Sequence, residues 1–116
     1  METKRYVLRL FLSLKHITAN VVDRNNGRIV ATASTVEHAI RDAFDWGRAC
    51  NAKAAASIGE VLAMRLKTEG LADKVYINVE KEIEKKGLIN GANVWAIVNA
   101  LKKRGVKIII DDNSNG

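Results

Sequence analysis

Few residues of this sequence are suited to binding a transition metal or to attacking a substrate. They are His16, His38 and Cys50, and none of them stands in a CxxC or HxxxH spacing. Structural zinc needs four such ligands at short spacings. A cysteine nucleophile needs an adjacent and oriented base, which His38, twelve residues from Cys50, does not offer. The two common glycine-rich phosphate loops are also missing. We therefore expect no metal site, no cofactor and no catalytic activity.

Four carboxylates keep one enzymatic alternative open. A strand meander followed by helix crossovers is also the order of nucleases that use clustered acidic residues and two metal ions. Such a cluster would draw on Asp23, Glu37, Glu60 and Asp73. Because Glu37 has a simpler role as a helix-capping residue and Glu60 falls on a helix flank, we rank this hypothesis last.

Basic side chains near the start of the chain could bind phosphate. They are Lys4, Arg5, Arg9, Lys15, His16, Arg24 and Arg28, joined by Arg48 and Lys53 near the start of a later helix. Guanidinium and ammonium groups at strand ends hold phosphates without reading base sequence, and a helix N-terminus attracts anions. The alternative is that these residues only solubilise an exposed sheet. As a cluster they favour binding to folded RNA through its backbone and shape, since aromatic residues make up only 5% of the chain.

The composition indicates one globular domain with an anionic partner. The chain has 116 residues, of which 47% are hydrophobic and 28% charged, and its net charge is +6. That length suffices for a single core, and the excess of positive charge favours a polyanion. An intramolecular disulfide is excluded because Cys50 is the only cysteine. No apolar run approaches the roughly 20 residues of a membrane span, so we expect no membrane partner. We also expect no small-molecule substrate.

Hydrophobic periodicity predicts three strands at the start of the chain. Residues 6–12 are a short apolar run, and residues 16–23 alternate between two kinds of side chain. Residues 25–27 (NNG) tolerate positive φ and predict a hairpin turn before a third strand over residues 28–33. Ser34 and Glu37 then have capping-box spacing, which predicts a short helix to about residue 43.

Two long helices and two strands are predicted in the second half. The first helix starts at Asn51 and ends before Gly70, and its stripe of small residues predicts a close approach to a sheet. A strand over residues 75–79 precedes a charged segment, residues 81–86, that lacks a broad apolar stripe. Asn93 is predicted to cap the second long helix, which ends at Gly105. Residues 106–110 form the last strand.

These elements predict an α/β fold in a single domain. Its mixed sheet has an antiparallel three-strand meander followed by two helix crossovers, which impose parallel pairing with right-handed connections. This is a ribonuclease H-like motif of the type found in the translational machinery. The domain covers residues 1–110, and the polar residues 111–116 (DDNSNG) are predicted to be a disordered tail.

Three stretches of the chain resemble a known family. Residues 13–21 (SLKHITANV) look like its S-x-K-H-I-x-A-x-V motif, residues 34–37 (STVE) like its S-T-x-E motif, and residues 51–59 (NAKAAASIG) like its G-N-x-x-A-A-x-x-V-G helix start. In this order and spacing, over residues 6–110, they resemble the L-eighteen family of large-subunit ribosomal proteins, in its bacterial and organellar type that binds 5S rRNA.

The resemblance implies a structural, non-enzymatic protein in the central protuberance of the large ribosomal subunit. Its implied partners are 5S rRNA, neighbouring large-subunit rRNA and adjacent ribosomal proteins. It also adds Ser13 and Asn51 to the predicted contacts. The predicted RNA-binding residues are therefore Lys4, Arg5, Arg9, Ser13, Lys15, His16, Arg24, Arg28, Arg48, Asn51 and Lys53.

The sequence departs from the family pattern at three places. Leu12 stands where the family usually has an arginine, and residues 90–93 (NGAN) replace its Y-H-G-R-like stretch. The basic N-terminal extension of many members is reduced to about five residues. Weaker RNA binding is implied, so the alternative is a family paralogue that acts as a protein-interaction module.

The N-terminal segment bears on localisation. Residues 1–21 contain Glu2 as their only acid, together with basic and hydroxyl residues, as transit peptides do. Because the same segment forms the first two strands, we expect a mitochondrial protein with an uncleaved presequence or none, with the cytoplasm or a plastid as alternatives. The RNA-binding hypothesis further expects the cationic groups of the first two strands and of residues 51–53 to converge on one phosphate-facing surface.

Overall fold

A computed structural model of the protein describes residues 5–13, 16–37, 52–86 and 91–110. The predicted short helix after Ser34 lies largely outside the described residues, and so does the predicted tail, residues 111–116. Four of the predicted RNA-binding residues, Lys4, Lys15, Arg48 and Asn51, also fall outside them.

Five strands form one mixed sheet in the order β3-β2-β1-β4-β5. The meander β1–β2–β3 is antiparallel, and β4 and β5 are added in parallel, as the crossovers predicted. The strand bounds are β1 Tyr6–Leu12, β2 Ile17–Asp23, β3 Arg28–Ser34, β4 Val75–Ile77 and β5 Ile108–Ile110. The predicted α/β class with a single mixed sheet is confirmed.

Side-chain alternation divides the sheet into a buried face and an open face. Leu8 and Leu10 of β1 are buried in the core, whereas Arg9 and Phe11, which alternate with them, are exposed. On β2, Ile17, Ala19 and Val21 are fully buried, as the period-two pattern predicted. The helices cover the face that carries the buried residues. Over the meander, no helix among the described elements covers the other face, which we call the open face; on β4 the same side of the sheet carries the buried Tyr76.

The first described helix, α1 (Ala52–Thr68), approaches another helix most closely at Gly59, a member of its stripe of small residues. A Cβ added at Gly59 would stand 2.8 Å from the Cβ of Ala100 and 2.8 Å from the carbonyl oxygen of Ile97. Both of these residues belong to α3 (Gly91–Lys103). The helix also packs against β2 and β3 of the sheet, as the stripe predicted, but its closest approach, at Gly59, is to α3. The predicted end is confirmed, because Gly70 follows the helix with a φ of 72°.

The charged segment 81–86 belongs to a helix that the sequence pattern did not predict, α2 (Val79–Lys86). Asn78 caps it by accepting a hydrogen bond from the Lys81 N–H at 3.0 Å. Val79, predicted as the end of a strand, is instead the buried first residue of this helix. Val79 is buried and Ile83 is half-buried, so the apolar stripe of α2 contains only two residues. Because the remaining residues are charged, the sequence pattern did not indicate an amphipathic helix.

The second long helix and the last strand differ from the prediction at their starts. Helix α3 begins at Gly91, so Asn93 lies in its first turn and is not its cap. Ala92 is a strong helix former, and it extends the helix by two residues beyond the predicted start. Gly105, with a φ of 94°, ends the helix as predicted. Strand β5 begins only at Ile108, because the Val106 N–H still bonds to the carbonyl of Leu101 in the helix end.

The outer edge of β3 is closed by an ion pair. The Glu37 carboxylate accepts the Ser34 N–H at 2.8 Å, which is the hydrogen bond expected of a capping box. It also accepts from Arg65 of α1 at 2.9 Å, and the same guanidinium donates to the carbonyl oxygen of Thr32 at 2.7 Å. Two outward-pointing backbone groups of the edge strand therefore have partners within the chain.

None of the described helices has the length and apolar character needed to cross a membrane.

Candidate nucleic-acid interface

The β2–β3 hairpin presents two of the predicted arginines. Gly27, with a φ of 74°, closes the turn by donating its N–H to the Asp23 carbonyl at 2.7 Å. The Asn26 side chain accepts the Arg28 N–H at 2.9 Å. The turn is thus fixed by its own polar groups, as predicted from residues 25–27. Arg24 and Arg28 extend from this fixed turn and are exposed.

Arg5 lies at the same end of the sheet, and its side chain forms an ion pair with an acidic residue. Its guanidinium contacts the Asp23 carboxylate, with Nη2 and Oδ2 3.2 Å apart, and its carbon Cζ lies 5.1 Å from the centre of the Tyr6 ring. The hydrogen bond from Arg5, followed by that from the Asn25 N–H, holds the pKa of the Asp23 carboxyl below its ordinary value. Part of the positive charge of Arg5 is therefore already compensated.

The β1–β2 connection lies at the opposite end of the sheet. The Ser13 hydroxyl accepts the His16 N–H at 3.1 Å and donates to the His16 carbonyl oxygen at 3.2 Å. The Ser13 N–H also donates to that carbonyl, at 2.9 Å. Ser13 therefore fixes the backbone from which the exposed His16 projects.

Arg9 lies between the two ends, on the open face. It pairs with Asn20 in the register of β1 and β2, and its side chain is exposed. Beside it, the Thr32 hydroxyl donates to the Asn20 side-chain oxygen, and the hydroxyls of Thr18 and Ser34 lie 2.8 Å apart. Arg9 thus projects from a polar strip that runs across the three strands of the meander.

Lys53 lies toward the end of the sheet that carries Ser13 and His16. Helix α1 connects β3 to β4, two strands that run in the same direction, so the helix runs antiparallel to both. Arg65, late in α1, contacts Thr32 near the carboxyl end of β3. Because the helix runs antiparallel to β3, its first turn lies beyond that end of the strand. Lys53 is exposed in that first turn.

The described cations therefore form two groups rather than one. Six residue steps of about 3.3 Å along β2 separate the sheet ends by about 20 Å. Arg5, Arg24 and Arg28 lie at one end, and Ser13, His16 and Lys53 lie toward the other. The expectation of convergence on one surface was wrong for Arg5, Arg24, His16 and Lys53. Arg9, on the open face between them, has no acidic partner among the residues that the structure describes.

The prediction from sequence missed the aromatic side chain nearest to Arg9. Phe11 is 53% exposed and lies two residues from Arg9 on the same strand, so both project from the open face. A low overall aromatic content argued against base stacking. The alternation of residues 6–12 was the signal that could have placed this ring beside an arginine.

The carboxylates of the nuclease hypothesis do not form a cluster. Asp23 pairs with Arg5, Glu37 with Arg65 and Glu60 with Arg104, and these three arginines belong to different parts of the fold. Asp73 is exposed. Over residues 5–13, 16–37, 52–86 and 91–110, no three His, Cys, Asp or Glu side chains lie together so that they could hold a metal ion. The geometry therefore gives the nuclease hypothesis no support.

Comparison with known proteins gives one consistent family. The model of the family described as ribosomal L18 of archaea, bacteria, mitochondria and chloroplast matches residues 1–108. The chain is 32% identical to the large ribosomal subunit protein uL18 of Rhodopseudomonas palustris strain BisB5. It is 31% identical to that of Nitrobacter winogradskyi and 30% identical to that of a Bradyrhizobium species. Each alignment spans 99 residues, which is 85% of this chain and 75% of the relative.

Proposed function

Because the chain belongs to the ribosomal L18 family, as its motifs predicted, we propose that it is a structural constituent of the large ribosomal subunit and binds 5S rRNA in the central protuberance. Its further partners are neighbouring large-subunit rRNA and adjacent ribosomal proteins. The RNA-binding residues are the eleven predicted from the sequence, from Lys4 to Lys53.

The observation that carries this proposal is the position of Arg9 on the open face. An exposed guanidinium that projects from a rigid sheet can hold a phosphate without further ordering of the backbone. Phe11, two residues further along the same strand, adds exposed side-chain surface beside Arg9. The turn fixed by Ser13 and the first turn of α1 extend this surface toward one end of the sheet.

The proposal is tested by removing three cations from that surface. In the variant Arg9→Gln, Lys15→Gln, Lys53→Gln, each lost phosphate contact should lower the slope of log K against log salt by about 1. We expect the affinity for 5S rRNA to fall about tenfold or more near 0.1 M salt. The matched control is Lys81→Gln, Lys85→Gln, Lys86→Gln on α2, which removes the same charge and should leave the slope unchanged. Equal slopes for the wild type and the first variant would overturn the proposal.

The protein-interaction module is the second candidate, and exposed apolar residues favour it. Phe11 and Ile29 are both more than half exposed, and Val22, which pairs with Ile29 on the open face, is half-buried. A module of this kind would bind ribosomal proteins in nuclease-treated extract with unchanged affinity in the Arg9, Lys15 and Lys53 variant. It would lose that binding in Phe11→Ala.

We also propose that the ribosome concerned is mitochondrial. The nearly acid-free N-terminal residues 1–21 support this placement, whereas the named relatives are bacterial and fit the cytoplasmic alternative. A fluorescent protein fused to the C-terminus and imaged in the source cells would decide between them. Signal spread through the cytoplasm would overturn the mitochondrial placement.

A further inference from the structure

A basic residue occupies the same end of every strand of the sheet. In sheet order these residues, which we call the basic row, are Arg28, Arg24, Arg5, Lys74 and Lys107. In the strand registers, all members except Arg28 lie at one level, one residue beyond the last paired residue of their strands. Arg28 is itself the last paired residue of β3, one residue further into the sheet. Neighbouring strands are about 4.8 Å apart, so the row is about 19 Å long.

Backbone hydrogen bonds fix the level of the row. The Arg24 N–H donates to the Arg5 carbonyl at 2.7 Å. The Lys107 N–H donates to the Ala72 carbonyl at 2.9 Å, and its own carbonyl accepts the Val75 N–H at 3.0 Å. All five side chains of the row are exposed. The row is therefore a fixed feature of the sheet end.

The two long helices add cations behind the row. Both run antiparallel to β1, β3, β4 and β5 and end at this end of the sheet, with Lys67 in the last turn of α1 and Lys102 and Lys103 in the last turn of α3. The Lys67 ammonium lies beside Gly105, so the two helix ends adjoin. With Arg104, this end carries nine basic side chains among the described residues. Asp23 and Glu60 form ion pairs with two of them, Arg5 and Arg104, and two further acidic residues, Glu69 and Asp73, lie in the connection that follows α1.

From this arrangement we infer that the basic row and the adjoining helix ends bind the phosphate backbone of an RNA segment, without reading its sequence. Lysines in the last turn of a helix have a simple role in complementing the helix dipole. Strands carry only small net dipoles and give no such reason for a cation at every strand end.

The chemistry of the surface favours RNA over an acidic protein. Protein interfaces are poor in lysine and rich in aromatic anchors. Toward this end of the described residues, the strongly exposed large hydrophobic residues are Ile29 beside Arg28 and Met64 one turn before Lys67, and neither is aromatic. The identification of the polyanion as RNA rests on the proposed ribosomal function. None of Lys67, Lys74, Lys102, Lys103, Arg104 and Lys107 belongs to the residues proposed for that function.

The test uses an RNA duplex of arbitrary sequence and a variant confined to the new surface. In the full chain, Lys102→Gln, Lys103→Gln, Lys107→Gln removes three exposed charges. Duplex affinity is measured by fluorescence anisotropy between about 50 and about 200 mM KCl. We expect the slope of log K against log salt to fall by about 2 to 3, and the affinity at the lower salt to fall about tenfold. The α2 control variant, with Lys81, Lys85 and Lys86 changed to Gln, should match the wild type, and circular dichroism checks that all variants fold.

Two outcomes would overturn the inference. If the two triple variants lower the slope equally, the chain binds RNA through diffuse charge and not through the row. If the Lys102, Lys103 and Lys107 variant binds the duplex as well as the wild type does but loses affinity for poly-glutamate, the surface binds acidic proteins and not RNA. In either case, 5S rRNA binding that still depends on Arg9, Lys15 and Lys53 would leave the proposed function standing.

Discussion

Glu37 shows how one side chain can serve two structural purposes at once. Its carboxylate caps the backbone after β3 and, through Arg65, ties that edge strand to α1. The hydrogen bond from Arg65 is the main reason that the pKa of the Glu37 carboxyl lies below its ordinary value of 4.5. The ionised form is thus favoured in the folded state. The stability that it contributes is present above pH 4.5 and is lost as the pH falls through the lower, folded-state pKa.

We expect Glu37→Gln to lower the free energy of unfolding by about 1 kcal/mol at neutral pH, a value reduced by partial solvent exposure of the pair. Because wild-type Glu37 becomes protonated in acid, this difference should shrink as the pH is lowered toward about 3. Urea unfolding across this range measures both effects. Glu60→Gln is the matched control, since its pair with Arg104 is more exposed and should contribute little at any pH. A difference for Glu37→Gln that does not vary with pH would contradict this account.

At the scale of elements, prediction from sequence succeeded where one periodicity dominated. The meander, both long helices and the glycine ends of those helices followed from alternation, small-residue stripes and positive φ. Helix α2 did not, because its apolar contacts are few and its stabilising contact is long-range. The Glu82 carboxylate, which is 4% exposed, accepts the Leu10 N–H at 3.1 Å. A hydrogen bond between residues 72 positions apart leaves no local pattern in the sequence.

The candidate site was predicted less well, for a related reason. Residue types predicted Arg9 and His16 as contacts and the family resemblance added Ser13, but neither gave the distance between the sheet ends that separates His16 from Arg24. Nor did they show that Asp23 engages Arg5. Both facts depend on strand length and register, which fix where exposed side chains lie.

The packing of α1 against α3 gives a prediction at this scale. We expect Gly59→Ala to lower the free energy of unfolding by about 1–3 kcal/mol, because the new methyl group would collide with the Ile97 carbonyl and Ala100. This cost exceeds the gain of up to about 1 kcal/mol in helix propensity. Gly91→Ala is the control, since its Cβ would meet only Ile83 at 3.8 Å, and it should be neutral or slightly stabilising. Chemical denaturation measures both, and a stabilised Gly59→Ala would refute the close approach.

At the scale of the whole molecule, the described cations of the two proposed RNA-binding surfaces lie at different places around one core. The open face with Arg9 adjoins the Ser13 turn, and the basic row ends the sheet on the other side. The core itself lies between the sheet and the helices, and the cations of both surfaces lie outside it. Removing surface cations should therefore change RNA binding without changing the stability of the free chain, since isolated exposed charges contribute little to folding.

Binding of 5S rRNA should in turn stabilise the folded chain in a salt-dependent way. With free RNA at about 100 times the Kd, the free energy of unfolding should rise by about 2.7 kcal/mol, because only the folded state presents the two surfaces. Each tenfold weakening of Kd by added salt should remove about 1.4 kcal/mol of this gain. Thermal unfolding with and without RNA at two salt concentrations measures the gain, with the RNA-free curve at each salt as the reference. The Arg9, Lys15 and Lys53 variant should gain less than the wild type at equal RNA concentration. A gain that is the same at both salt concentrations would mean that contacts other than those between cations and phosphates hold the RNA.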